Sequence, residues 1–600
     1  MVWLDSFQGD IVFGWRQLRK RGVVSAAAIL SLALAIGACT TAFRIIDALL
    51  LRPLPIAEPE RLHALFREGI GPDGNPRTSD SYEYPLFRQM RAAVKDRADL
   101  IAVSYAYSRP IDVTYGSDQE MERAYRQYVS GWMFDSFKVR PALGRLFTEN
   151  DDVRPGGHPF AILSHDYWTS RFGKDAKIVG RTVRIGSELY EIIGVAEEGF
   201  TGVEPGSVTD IFLPTMMNAS AIDSTETSWF RTLVWMKPGF GVEPVRDRLQ
   251  AVFRAFREEQ AKGFVGRPKL FIDRFLNESL SLEPAAAGVS DMQKEYRQPL
   301  AALGVLVAIV LLIACANVAN VMTAHAAARS REMALRISIG AGRWRLVQLV
   351  LVEGGWIAFV STVLGAMFAW WSAPLVAGMI DRPDYPARLS LPFDWRVLGF
   401  GLVLGLAVTF LFGLLPALRA SAVKPAGALK GGQDPHSRRR LMHGLIAGQV
   451  TFCIFVLFVG GLFFATFDRL ESQPTGFSAE RLVTLETVAQ SPQPSQYWEL
   501  VGQHLRQTPG IEAVALSRWA LLVGNAMNGF VSTNGAPPEE IRNHFLNVSP
   551  GWVDLMKIPF VAGRDFHASD TYPGAAIVNE TFVKQHFGGL NPVGKTVRES

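Results

Sequence analysis

Cysteine is nearly absent, with 3 in 600 residues, and no two of them have metal-site spacing. A disulfide scaffold and a cysteine-held zinc site are therefore excluded. Charge is also scarce: Asp, Glu, Lys and Arg make up 20% of the chain, against about 25% in soluble domains. A formal net charge of +4 is too small over this length to point to nucleic acid. None of the ten histidines is followed by glutamate, so the helical zinc-protease motif is missing. Glycine and proline show no period, which excludes a collagen-like chain. Apolar residues, by contrast, reach 48%, and the mean hydropathy is +0.13. Length alone would suggest roughly four soluble domains of about 150 residues. The apolar excess instead predicts membrane spans.

A spanning helix needs about 20 predominantly apolar residues. Five runs free of Asp, Glu, Lys and Arg are long enough: Gly22–Phe43, 298–328, Gly354–Ile380, Val397–Leu418 and Leu441–Phe467. Basic residues between the runs set the orientation. Arg16, Arg19, Lys20 and Arg21 precede the first run. Arg329, Arg331, Arg336, Arg343 and Arg345 follow the second, and Arg419, Lys424, Lys430, Arg438, Arg439 and Arg440 lie between the fourth and fifth. With five spans all three clusters fall on one side, the cytoplasmic one. Between spans three and four the charges balance: Arg382, Arg388 and Arg396 against Asp381, Asp384 and Asp394.

The layout that follows is a multi-pass inner-membrane protein with a cytoplasmic N-terminus. Residues 1–21 form an amphipathic interfacial helix (Leu4, Phe7, Ile11, Trp15 and Leu18 on one stripe). Spans occupy 22–46, 298–324, 347–373, 397–416 and 445–467. A cytoplasmic segment covers 325–346, a short external loop 374–396 and a basic linker 417–444. Two large external segments, 47–296 and 468–600, remain. Cys39, Cys315 and Cys453 all fall within spans.

The two external segments repeat one pattern. The first reads Gly144-Arg145-Leu146-Phe147, Ala161-Ile162-Leu163-Ser164, Arg171-Phe172-Gly173 and Val179-Gly180-Arg181-Thr182-Val183-Arg184. The second reads Gly563-Arg564-Asp565-Phe566, Ala576-Ile577-Val578-Asn579, His586-Phe587-Gly588 and Val593-Gly594-Lys595-Thr596-Val597-Arg598. The order is the same and the offset drifts by only about five residues, as in a duplicated unit. Alternation around Gly186 and Ser187 predicts a strand hairpin, and Tyr167–Phe172 and Val242–Phe256 read as helices. Glu58–Phe66 opens the first domain and Gly476–Leu485 the second. Because the second copy stops at Ser600 before its matching strand, it reads as truncated, with further spans expected beyond it.

These residues carry a resemblance. Trp15-Arg16-Gln17-Leu18-Arg19-Lys20, the first span, Asp47-Ala48-Leu49-Leu50-Leu51-Arg52-Pro53-Leu54-Pro55 and Glu58-Pro59-Glu60-Arg61-Leu62 resemble the MacB/FtsX superfamily of permeases. The segment Ala328–Ala341 looks like that superfamily's cytoplasmic helix, and the duplication is similar to the acidobacterial-type duplicated orphan permeases. The resemblance implies a fold: an α-helical polytopic membrane protein with α+β extracytoplasmic domains, eight spans in the complete plan. It also implies a permease without its own ATPase, driven by a cytoplasmic ABC ATPase dimer that holds the ATP. Movement then passes to the external domains, which extract or export an amphiphilic substrate, with a periplasmic adaptor or substrate protein as a further partner. The alternative implied is a signalling or scaffold protein that regulates enzymes outside the membrane.

No residue is expected to be catalytic, to hold a metal or to bind a cofactor. Gly589-Leu590-Asn591-Pro592-Val593-Gly594-Lys595-Thr596 fits the phosphate-loop pattern, but its context is a helix before and a strand after, the reverse of what that loop requires. Leu429-Lys430-Gly431-Gly432-Gln433 is read as a flexible turn. Asp151 and Asp152 are read as a solvated turn, and Trp132 and Trp552 as packing residues. The coupling element is placed at Arg331, Glu332, Met333, Arg336 and Ile337. Glu332 and Arg336 can pair across one helical turn, and Met333 and Ile337 form an apolar knob. Asn317 and Asn320, i and i+3 on span two, are expected to bond to a neighbouring helix. Gly365, Gly401 and Gly405 are candidates for close helix approach.

Overall fold

In a computed structural model of the chain, the described residues are 16, 19 and 22–599, less 72–73, 107–109, 116–120, 329–342, 381–388, 411–435, 488–492, 524–525, 568 and 571–573. The amphipathic stripe of the first 21 residues, the coupling residues Arg331–Ile337 and most of the basic linker lie outside them. The chain forms two compact units. One holds the first span to Pro53, Val203–Val208 and Ala287–Glu471; the other holds Leu54–Gly202, Thr209–Ala286 and the residues from Ser472 onward.

The membrane unit is helical: Gly22–Ile46, Asp291–Ala328, Arg343–Ile380, Trp395–Thr409 and His436–Glu471. At 1.5 Å per residue, a 25-residue helix is about 37 Å long and crosses the roughly 30 Å hydrocarbon layer. Four of the helices are long and apolar enough to span; Trp395–Thr409 is shorter within the described residues. The helices outrun the charge-free stretches. Span two starts at Asp291 because Ser290 and Gln293 close a capping box, Ser290 Oγ accepting from the Gln293 amide at 3.1 Å and Gln293 Oε1 accepting from the Ser290 amide at 2.9 Å. Residues 374–380, expected in the external loop, are instead helical, with Pro374 inside the helix. Packed neighbours make such an interior proline tolerable in a span.

Small residues bring these helices together. A Cβ on Gly37 would meet Phe368 Cδ1 at 2.7 Å and Gly365 O at 3.0 Å, and one on Gly365 would meet Ala33 O at 3.0 Å, so spans one and three cross glycine on glycine. Gly405 lies equally close to Thr362, whereas Gly401 faces open space. Leu32, Ile36 and Cys39 pack with Leu311, Cys315 and Val318 of span two and with Ile357 of span three. All three cysteines are free, and Cys453 is exposed.

The extracytoplasmic unit is built on a mixed sheet. Its strands run, side by side, Ser279–Pro284, Leu62–Ile70, Ser228–Met236, Ala98–Ser104, Arg126–Val129, Ile211–Pro214, Phe160–Leu163, Glu188–Ala196, Thr182–Ile185, Ile111–Thr114 and Met121–Ala124. The hairpin at Gly186 and Ser187 forms as expected, with Ile185 opposite Glu188. So do the helices, as His165–Phe172 and Val242–Ala261. Alternate strand residues such as Ala161, Leu163, Ile192, Val195, Ile211 and Leu213 fill the core with Trp168. Asp151 and Asp152 correct the expectation of a solvated turn, for both are buried. Asp151 receives Arg145 and the Thr148 amide, and Asp152 receives the Gly131 and Met216 amides and the Thr215 hydroxyl. Burying these carboxylates is tolerated because each is fully hydrogen-bonded.

The second extracytoplasmic domain keeps a three-stranded sheet, Arg542–Phe545, Met527–Thr533 and Val597–Glu599. It matches Met121–Ala124, Ile111–Thr114 and Thr182–Ile185 of the first domain in order and direction. Residues 482–487, the counterpart of the opening strand, are not in a strand. In the first domain that strand pairs with Ser228–Met236 and Ser279–Pro284.

Candidate functional site: a charged latch at the outer ends of the spans

Span one ends in a way its sequence explains. The helix widens into a five-residue turn, Asp47–Leu51, and Arg52 leaves it with an extended backbone, its amide returning to Asp47 O at 2.7 Å. Pro53 follows, which disfavours a helical Arg52 and stops the helix. The turn places three charged side chains, Arg44, Asp47 and Arg52, within reach of the chain entering span four.

Asp47 is completely buried and holds two guanidiniums. Arg52 Nη2 lies 3.0 Å from Asp47 Oδ2, and Arg396 Nη2 lies 2.7 Å from Asp47 Oδ1. Arg52 also reaches Asp394 Oδ2 at 2.8 Å. Asp394 in turn caps span four, its Oδ1 accepting from the Arg396 amide at 3.1 Å and the Val397 amide at 3.4 Å. Arg44, one turn before Asp47, donates from Nη1 to Ala369 O of span three at 2.7 Å and from Nη2 to Leu391 O, and its guanidinium lies over Phe393. Ala369 sits one residue before Trp370, whose carbonyl loses its helical donor at Pro374. Thr41 Oγ1 and Ser372 Oγ, 2.7 Å apart, add a second polar tie between spans one and three.

Two carboxylates and three guanidiniums therefore join the ends of spans one, three and four. Removing one partner from a buried ion pair leaves a charge uncompensated, at a cost of about 3–5 kcal/mol. The arrangement offers no nucleophile, acid–base pair or metal cage; among the described residues no group of three or more metal-ligating side chains exists. What it can do is mechanical. It ties span one to the Ala369 carbonyl of span three and to Asp394 and Arg396 at the start of span four. The entrance to span two joins the same body: Gln293 Nε2 donates to Leu49 O at 2.8 Å, and Met292 packs on Gly206 and Leu49. Val203–Val208 belongs to this unit, with the Val289 amide donating to Val203 O at 3.1 Å.

The expected site residues fare differently. Arg331, Glu332, Met333, Arg336 and Ile337 lie outside the described residues. Asn317 is exposed and Asn320 half-buried. The latch itself was missed: Asp47, Arg52, Asp394 and Arg396 read as ordinary flank charges in the sequence. The phosphate-loop pattern runs from the helix Glu580–Phe587 into the strand Val597–Glu599. No helix begins at its lysine, so it has the wrong order for that chemistry.

Comparison with known proteins follows this architecture. The MacB-like periplasmic core domain model matches residues 25–252, and the FtsX-like permease C-terminal model matches 304–425. The uncharacterized ABC transporter permease YknZ of Bacillus subtilis is 24% identical over 52% of this chain and 71% of its own length. The macrolide export ATP-binding/permease protein MacB of Nitrosomonas europaea is 24% identical over 48% of this chain. The pyoverdine export ATP-binding/permease protein PvdT of Pseudomonas aeruginosa is 25% identical over 51%. This chain spans 40% and 42% of the length of those two exporters. The family implies a multi-pass protein of the inner membrane working with an ABC ATPase. The two matched segments together take in more than half of the chain, in the order span, extracytoplasmic domain, span cluster, and the chain belongs to the MacB/FtsX permease superfamily.

Proposed function

We propose that this chain is the duplicated, ATPase-free permease of an ABC-type system, and that it turns the opening and closing of a separate cytoplasmic ATPase dimer into movement of its extracytoplasmic domains. The work goes to extracting or exporting an amphiphilic substrate. ATP sits on the partner and no cofactor on this chain. The N-terminus and residues 325–346 face the ATPase, with Arg331, Glu332, Met333, Arg336 and Ile337 as the docking helix. The observation that carries the reading is the latch: Arg44, Asp47, Arg52, Asp394 and Arg396 bind the outer ends of three spans into one body, as a rigid transmission element requires.

Two variants of the full-length chain separate docking from transmission. Met333→Asp places a charge on the apolar knob and should abolish ATPase association. Asp47→Ala should leave association intact and remove the nucleotide-dependent change in distance between spin labels on the extracytoplasmic domains. An Asp47→Ala protein with a wild-type distance change would refute transmission through the latch. Wild-type ATPase binding by Met333→Asp would refute the docking assignment.

A further inference from the structure

The segment Val203–Val208 lies between strands Glu188–Ala196 and Ile211–Pro214, yet it belongs to the membrane unit, while the residues on either side of it belong to the extracytoplasmic unit. Its tip is closely seated. The Ser207 amide closes a turn on Glu204 O at 3.1 Å, and Val203 and Glu204 are buried. Val203 O accepts from the amide of Val289, the residue before the capping box of span two. A Cβ on Gly288 would meet Val203 O at 2.5 Å and Pro205 Cδ at 2.6 Å, and one on Gly206 would meet Met292 Sδ at 2.5 Å. Backbone and a proline ring do not yield as a flexible side chain does, and close-packed contacts transmit displacement. The tip therefore follows the entrance to span two.

The two feet of the segment meet on one side chain. Gln127 Oε1 accepts from the Thr209 hydroxyl at 3.2 Å and lies 3.2 Å from where a Cβ of Gly202 would stand. The same carboxamide donates from Nε2 to Ser104 O at 2.9 Å. That bond crosses a seam in the sheet. Ala98–Ser104 runs in register with Ser228–Met236 along its length, from Ala98 opposite Met236 to Ser104 opposite Phe230. On its other side, among the described residues, it meets Arg126–Val129 in register at Val103 and Val129 alone. Side chains replace the ladder there: Ser104 Oγ accepts from the Tyr128 amide at 2.8 Å, and Ser130 Oγ from the Ala102 amide at 2.9 Å. A bridge through a side chain has χ rotations that a backbone ladder lacks, so a loaded sheet flexes first along this seam. The other connections of the first domain, Pro53–Leu54 and Ala286–Ala287, enter across the seam from Gln127. There the Leu54 amide donates to Ala286 O at 2.8 Å and the Ala285 amide to Leu62 O at 2.9 Å.

We propose that Val203–Val208 is a drive strap. It pulls on the half of the sheet that holds Arg126–Val129 and Ile211–Pro214, through Thr209 and Gln127. The exit of span one and the entrance of span two hold the half that contains Leu62–Ile70 and Ser279–Pro284. Movement of the outer ends of the spans then flexes the first extracytoplasmic domain along the seam. This rests on the transmission reading above and names its route into the sheet. Thr209 and Gln127 are positioning residues in it.

The test uses the full chain with Cys453→Ser, spin-labelled at Ser187→Cys and Ala255→Cys; Cys39 and Cys315 are buried. Both label sites are exposed and lie on opposite halves. Ser187 is in the hairpin before Glu188–Ala196. Ala255 is on helix Val242–Ala261, whose Gln250 Oε1 accepts from the Leu280 amide at 2.6 Å. Two glycines inserted between Thr201 and Gly202, and two between Val208 and Thr209, lengthen each foot by about 7 Å. Without the ATPase, the lengthened chain should broaden the distance distribution and speed hydrogen exchange at residues 128–130. If both stay unchanged, the strap is overturned. With the ATPase, nucleotide should shift the distance in the chain of natural length and not in the lengthened one. A lengthened chain that keeps the shift overturns the drive alone. A natural-length chain without a shift overturns the transmission reading and the drive together. Thr209→Val keeps the shape and deletes the hydroxyl on Gln127. It should speed exchange at 128–130 about tenfold, the worth of one buried hydrogen bond, and remove the shift; Thr209→Ser should keep both near their natural values. Equal behaviour of the valine and serine variants overturns the route through Gln127.

Discussion

The two extracytoplasmic domains are built with the same joints but bury them to different depths. In the first, Arg145 grips Asp151 with two hydrogen bonds, and Asp151 also accepts from the amide of Thr148. In the second, Arg564 grips Asp570 in the same way, and Asp570 accepts from the amide of His567. Ser164 caps the helix His165–Phe172, and Asn579 caps Glu580–Phe587; Gly173 and Gly588 end them with φ of 56° and 58°. Trp132 and Trp552 each stand at a short helix closed by a left-handed lysine, Lys138 or Lys557. The conserved elements are local, set by residues a few positions apart. Depth of burial is not local: it depends on strands that close over the joint from far along the chain. The duplication therefore fixes the local geometry of both copies.

The largest expected difference between the copies is at the tryptophans. Trp132 is buried, donates from Nε1 to Leu100 O at 2.8 Å, and packs against Phe87 and the Arg91 guanidinium. Trp132→Ala should lower the local opening free energy of its domain by about 3–5 kcal/mol, the usual range for a buried aromatic. Trp552, half-buried, should give a clearly smaller loss. Hydrogen exchange of peptides spanning 126–139 and 545–558 in the intact protein reads both. Equal losses would mean that the shared joint, not the burial around it, sets stability.

Much of this was legible in the sequence, for reasons of range. Spans follow from uninterrupted apolar length, and the repeat from turn residues such as Gly144 and Gly563, which both adopt positive φ. The hairpin at Gly186 and both helices were readable from period alone. The latch was not, because Asp47 and Arg396 are 349 positions apart and look like ordinary flank charges. Asp152 misled for the same reason: its partners Gly131, Thr215 and Met216 are distant, so a carboxylate pair on a turn reads as solvated. The extension of span two was readable after all, in the Ser290–Gln293 capping box. The extension of span three through Pro374 runs against proline's usual effect on helices.

A pH difference sharpens the comparison further. Burial opposes the ionised form of Asp151, yet Arg145 and Thr148 outweigh it and hold its carboxyl below the usual range. Arg564 and the His567 amide do the same for Asp570. Both joints therefore persist above the unfolded carboxyl pKa and are lost only as pH falls through still lower values. Asp152 is opposite: burial raises its carboxyl to about 6. Between about pH 4 and 6 the folded first domain then binds more protons than the unfolded chain, and its stability rises as pH falls. From pH 7 to 5 the gain should be about 1 kcal/mol, read by exchange at peptides covering 131 and 216. Asp152→Asn should flatten it. The second domain carries Thr571 at the matching position and should show no such gain. A gain of the same size in both domains would take the effect away from Asp152.

The smallest difference is expected where the copies exchange chemistry, and there the order reverses. In the first domain Arg171, on the capped helix, donates from Nε to Glu122 Oε2 at 2.6 Å. Both side chains remain substantially exposed. An ion pair in that setting contributes about 0–1 kcal/mol, because water screens it and two long side chains must be ordered to make it. In the second domain His586 takes the place of Arg171, and its partners are Asn543 and Glu539. The imidazole is fully enclosed, with Nε2 at 2.9 Å from Asn543 Oδ1, Nδ1 at 3.0 Å from Glu539 Oε2 and the Phe582 ring centroid 4.4 Å away. His586→Ala empties an enclosed volume and strands the buried Asn543 amide, a loss of about 1–3 kcal/mol. Arg171→Ala should barely alter exchange in strand Met121–Ala124, whereas His586→Ala should loosen Arg542–Phe545. If Arg171→Ala loosened its strand more than His586→Ala loosened the other, burial would not be what sets the worth of each joint, and the ranking of the two copies would have to follow charge instead.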